Sequence, residues 1–195
     1  MITVAVDKDP EDARPWIELA RPTHPSLVDV DHVVADLYNM VNVPEILWID
    51  EDGRIVRPND VAFGDDTWRS LTGFEAAKHA NLLRAWVKGE SPALTAHEVQ
   101  RLQRLPSVAD QLARAEFGLG NWLYHEGRVE AARPHFVRAG ELAPNDFTIR
   151  RGTMPMQGLS SSGPEFVKMV QDWQAAGHSY YLPLPDTAPD SVPRW

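Results

Sequence analysis

Few side chains in this sequence are spaced for chemistry. Asp29, Asp31 and Asp36 form a carboxylate cluster, but their spacing matches no calcium loop, and Asp31 is placed to cap the helix that follows. Asp50, Glu51 and Asp52 precede Gly53, and a tight turn accounts for them. The seven histidines are scattered without HxxxH or HExxH spacing, although His125 and His135 fall on neighbouring helical stretches where they can approach each other. No metal site and no cofactor are expected. Gly118-Leu119-Gly120 sits inside a helical pattern and is no phosphate loop, and there is no Gly-x-Ser-x-Gly elbow. The chain has no cysteine, so none of its residues supplies a thiolate as nucleophile, metal ligand or redox centre. What remains is Val43-Pro44, the junction between a helical segment and an apolar strand.

The elements around that junction follow from periodicity and punctuation. Residues 2–6 are an apolar, β-branched run ending at Asp7 and read as a buried parallel strand. Pro10 opens a helix whose Trp16, Ile17, Leu19 and Ala20 supply an apolar face, with Pro15 straining it. Residues 26–30 form a second strand, and Asp31 caps a helix carrying Val33, Val34, Leu37 and Tyr38. Residues 46–49 and 54–56 pair as a hairpin across the Asp-Gly turn, and Pro58 ends the pairing. A long connection reaches Gly73, residues 76–87 are helical, and Gly89 stops them. From His97 on the pattern is helical: a short helix that Pro106 terminates, then 108–125, 129–142 and 164–176. Four prolines make residues 183–195 an extended or disordered tail. Met154-Pro155-Met156 and residues 180–183 are expected to pack on the helical region.

The order of these motifs resembles thioredoxin-like proteins of the ResA/TlpA kind. A strand ending in Asp, a helix, a further strand and a helix lead into Met40-Val41-Asn42-Val43-Pro44, then Ile46-Leu47-Trp48-Ile49-Asp50 and Gly53-Arg54-Ile55-Val56. Glu45 departs from the small residue or threonine usual after this proline. The resemblance implies that the Val43–Pro44 bond is cis, leaving the backbone N–H and C=O that precede the proline open, and that Val43 and Pro44 line an edge where an extended peptide pairs with them. It also implies a first strand and a CxxC-bearing helix ahead of residue 2, in the middle of the sheet. Either another segment or a second copy fills that place, or the protein has dispensed with the strand, or its start lies upstream; the upstream start is the expectation here. Some redox proteins of this kind carry selenocysteine, and a UGA codon read as a stop would move the start to Met1. The open seam predicts self-association.

Residues 113–146 resemble one tetratricopeptide repeat: Leu119-Gly120 at the close-packing pair, Gly127 at the turn, Ala132, Phe136 and Ala139 on the second helix and Pro144 after it. Leu123 replaces the usual aromatic, and Pro134 is expected to kink the second helix. Trp122, Tyr124 and His125 are the candidate partner-binding residues; packing against the rest of the chain is the simpler role of this hairpin.

The expected fold class is therefore α/β: an incomplete thioredoxin-like sheet in residues 1–90, then an all-α region in 91–182, then the proline-rich tail. A formal charge of −9 argues against nucleic acid and anionic membrane surfaces as partners. No stretch approaches the roughly 18 apolar residues of a spanning helix, and residues 1–6 resemble no signal peptide, so the chain as written is expected in the cytoplasm. The leading functional expectation is a redox-family protein whose present residues lack the dithiol or selenol and bind a peptide or protein. The alternative is a redox-inactive interaction protein that uses the helical hairpin as a scaffold.

Overall fold

The computed structural model describes residues 1–190; residues 191–195, the end of the proline-rich tail, lie outside the described residues. In chain order the elements are β1 (Thr3–Ala5), α1 (Pro10–Ala20), β2 (Ser26–Val28), α2 (Val33–Leu37), β3 (Ile46–Ile49), β4 (Ile55–Asp60) and α3 (Arg69–Thr72). Then follow α4 (Ala76–Val87), α5 (Ala96–Leu102), α6 (Val108–His125), α7 (Val129–Leu142), α8 (Phe147–Gly152) and α9 (Pro164–Ala175). The class is mixed α/β with a helical region. The strands form two separate pairs, β1 with β2 and β3 with β4. The described residues fall into two compact units of interleaved segments, 1–41 with 106–166 and 42–105 with 167–190.

The first unit begins with a parallel β1–α1–β2 crossover in the register Thr3–Ser26, Val4–Leu27 and Ala5–Val28. Asp9 caps α1 by accepting the Glu11 N–H at 2.9 Å, and Pro10 sits at the first helical position, where its missing donor costs nothing. The helix runs through Pro15, which forfeits only the one bond its N–H would make. The inward stripe is Ala13 and Ile17, four apart. Trp16, 72 % exposed, and Leu19 face solvent, contrary to the expected apolar face.

The cap of α2 is also not the expected one. Asp29 Oδ2 accepts the N–H groups of Val34 and Ala35 at 2.9 and 3.0 Å, because His32 in a left-handed conformation (φ 55°) folds the chain back over it. Asp31 instead receives the Asn121 side-chain amide at 3.2 Å.

The α6–α7 hairpin carries the core of this unit. Ser107 and Asp110 close a capping box at the start of α6, and Gly127 makes the turn at φ 73°. Phe117, Leu123, Phe136, Ile149 and Met156 pack with Ala113, Ala132, Ala139 and Ala143. Gly120 lets Phe136 approach: a Cβ there would stand 2.8 Å from the ring. Pro134 lies on the exposed side of α7, which continues unbroken through it. Met154 and Met156 are buried here, as expected of that segment.

In the second unit, Asp50 Oδ1 accepts the N–H groups of Asp52 and Arg54, and Gly53 takes φ 78°, so the β3–β4 turn forms as its sequence demands. Pro58 does not end the pairing. The ladder is irregular on either side of Trp48–Arg57, and this bulged register absorbs the proline while Ile46 still pairs with Asp60. Residues 180–188 are not a loose tail. Tyr180, Tyr181, Leu184 and Thr187 are buried, and Tyr181 packs edge-on to Phe63 and Phe74 within this unit.

Candidate functional site

The Val43–Pro44 bond is cis, and Val43 is 40 % exposed immediately ahead of β3. Its N–H donates to Asn42 Oδ1 at 2.8 Å, and the Nδ2 of this buried Asn42 donates to the Tyr180 carbonyl at 2.7 Å. Glu45, which follows Pro44, turns its side chain inward to within 3.6 Å of Arg104. Arg104 in turn donates to the Leu182 carbonyl at 3.0 Å. Both flanks of Pro44 are thereby tied to the same C-terminal stretch.

That stretch is anchored on a buried carboxylate. Asp60 is fully buried in β4; its Oδ1 accepts the N–H of Val61 and of Leu184 and the Thr187 hydroxyl, and its Oδ2 accepts both Nε and Nη2 of Arg57. Arg57 reaches Asp186 with two further bonds of 3.0 and 2.7 Å and lies 5.0 Å from the centre of the Trp48 ring. Trp48 stacks on Trp86 and donates its indole N–H to His79 Nε2 at 3.1 Å, so the neutral imidazole carries its proton on Nδ1. That Nδ1 stands 3.4 Å from Asp60 Oδ2, a loose contact without the aim of a good hydrogen bond. Burial alone would raise the Asp60 pKa, but the contacts from His79, Leu184, Arg57 and Thr187 outweigh it and hold the carboxyl at about 2. Asp60 is thus ionised at neutral pH, with its lone pairs engaged. It is an anchor, not a general base.

Sequence reasoning missed Arg57, Asp60, His79, Asp186 and Thr187. The one local signal is the pair of opposite charges three residues apart inside an apolar strand pattern, Arg57 and Asp60, which must be satisfied once buried.

In the first unit the three expected partner residues do not share a face. Trp122 is 54 % exposed and lies in line with Val108, Leu112 and Leu119 on the outer side of α6. Tyr124, about 200° around the helix from it, is half-buried against the core and edge-on to His125, which is exposed. The side of α6 bearing Arg114, Phe117 and Asn121 is covered by the chain's own α2 segment. Arg114 donates to the Asp36 carbonyl and to Asn39 Oδ1, Asn121 to the Val30 carbonyl, and the His32 ring lies 4.3 Å from that of Phe117. His135 meets Glu116 at 2.7 Å.

The carboxylates of the Asp29, Asp31, Asp36 cluster are each separately engaged: a helix cap, an amide acceptor and an ion contact of 3.1 Å with Arg114. Burial pushes His32 down to about 4 against the opposing pull of Asp29 and Asp31, so its ring is neutral at pH 7. Burial likewise lifts Asp146, the cap of α8, to about 6 despite its bonds from Thr148 and Ile149.

No family model, curated protein or solved structure matches this chain.

Proposed function

We propose that this chain is a thioredoxin-like, redox-family module that binds an extended peptide or protein segment at the Val43–Pro44 edge, no dithiol or selenol being among its own residues. The order and sense of the elements carry this reading: a parallel β1–α1–β2 crossover, a helix, then Pro44 leading into an antiparallel hairpin and α4, with Val43 exposed at the entry. Among the described residues β1 is paired only with β2, and β3 only with β4. Two-stranded sheets are marginal by themselves and their free edges accept further strands, which favours a partner strand or a second copy. With no cysteine present, this chain is expected to bind and not to turn over.

The test is insulin reduction by dithiothreitol together with binding of alkylated insulin B chain. Binding without turnover supports the proposal, and turnover appearing in a chain extended upstream supports the location of the chemistry. Absence of binding refutes it.

A second reading, an interaction protein working through its helical hairpin, is favoured by the exposed stripe Val108, Leu112, Leu119 and Trp122. Charge reversal there, Leu119→Glu with Trp122→Glu, abolishes partner capture under this reading and leaves B-chain binding untouched under the first.

A further inference from the structure

A strand that pairs with the backbone at Val43 needs the Val43 N–H as a donor, since extended pairing is made of main-chain hydrogen bonds. In this structure the donor is taken. Asn42 Oδ1 accepts it at 2.8 Å, and Asn42 is buried, so its side chain is not simply fraying into solvent. The amide can be oriented in only one way: the Val43 N–H requires an oxygen and the Tyr180 carbonyl requires an N–H, so Oδ1 faces the first and Nδ2 the second.

The other end of this link is a strap pinned along its length. Leu182 O accepts from Arg104, Leu184 N–H and the Thr187 hydroxyl donate to Asp60, Asp186 pairs with Arg57, and Ala188 O accepts from Lys78. Tyr180 is therefore a fixed point, and Asn42 is held on it.

We infer that Asn42 is a latch on the peptide-binding edge: its Oδ1 stands in for the carbonyl oxygen of an incoming strand, and residues 180–188 set how firmly the latch is closed. This deepens, and rests on, the peptide-binding function proposed above. Binding then requires Asn42 to leave the Val43 N–H, and whatever loosens the strap opens the edge.

The experiment uses the full chain, labelled with ¹⁵N, in three forms: unaltered, Asn42→Ala, and Asp186→Asn with Thr187→Val. Exchange of the Val43 amide is read by NMR, with the α4 and α6 amides as the check on folding, and carboxymethylated insulin B chain is the probe for affinity. One hydrogen bond lost is expected to speed Val43 exchange about tenfold in Asn42→Ala and to a lesser degree in the strap variant. Removing the competing acceptor is expected to tighten B-chain binding by about three- to tenfold, the reverse of what a purely structural asparagine would show. Val43 exchange unchanged in the strap variant overturns the coupling to residues 180–188. Equal or weaker B-chain binding by Asn42→Ala overturns the latch while leaving the peptide-binding reading standing; no binding by any form overturns both.

Discussion

The Thr187 hydroxyl donates to the buried Asp60 carboxylate, bringing together residues 127 positions apart, 2.7 and 2.8 Å from its two oxygens. Asp60→Asn places an amide N–H against donors that need an acceptor and leaves Arg57 buried beside a neutral group. The expected cost is about 3–5 kcal/mol of unfolding free energy in guanidinium denaturation, and about 1–3 kcal/mol for Thr187→Val. The variants lower the same transition, monitored by tryptophan fluorescence, to which Trp48 beneath Arg57 contributes. A loss below about 0.5 kcal/mol for Asp60→Asn contradicts the anchor role.

The same carboxylate sets an acid limit. Its pKa is depressed from 3.8 to about 2, so the native state holds fewer protons than the unfolded chain between those values. Its contribution is complete above pH 3.8 and is lost as pH falls towards 2. Acid titration of Thr187→Val, which removes one of the bonds holding the pKa down, is expected to show loss at a higher pH than the unaltered chain.

His32 acts in a different window. Folding lowers its pKa from 6.5 to about 4, so the unfolded chain binds the extra proton and stability falls as pH drops from 6.5 to 4. His32→Asn tolerates the left-handed backbone and does not titrate. Thermal melts at pH 7 and 5 are expected to differ less in this variant than in the unaltered chain. Asp146 has the opposite sign: its pKa rises from 3.8 to about 6, so stability falls as pH rises through that interval. Asp146→Asn keeps the acceptor for Thr148 and Ile149 and is expected to remove that fall, so its gain is largest above pH 6.

Local chemistry in the sequence accounts for much of the observed backbone. The break between α6 and α7 is legible because Gly127 redirects the chain, and the β3–β4 turn because Asp50 and Gly53 leave few alternatives. What escaped is what distant partners decide. Asp31 has the composition of a cap, but the left-handed His32 hands that role to Asp29. The prolines of residues 183–189 do argue for extended chain. Nothing adjacent to them announces that Asp60, Arg57 and Lys78 hold it down. Val43-Pro44 is legible as the junction between a helical segment and a strand; the Asn42 bond to the Val43 N–H is not, because its anchor is Tyr180, 138 residues away.

Two glycines on α6 give a paired test of the hairpin packing. At Gly120 a methyl group would lie 2.8 Å from two ring carbons of Phe136 and 3.2 Å from His135 Cβ, whereas at Gly118 it meets nothing within 4 Å. Gly118→Ala gains helix propensity and is expected to stabilise by up to about 1 kcal/mol. Gly120→Ala has the same propensity gain but must push Phe136 from the core, so a net loss of about 1–3 kcal/mol is expected. Chemical denaturation of the two variants should therefore move in opposite directions. If Gly120→Ala is as stable as Gly118→Ala, α6 and α7 do not approach as closely as Phe136 requires.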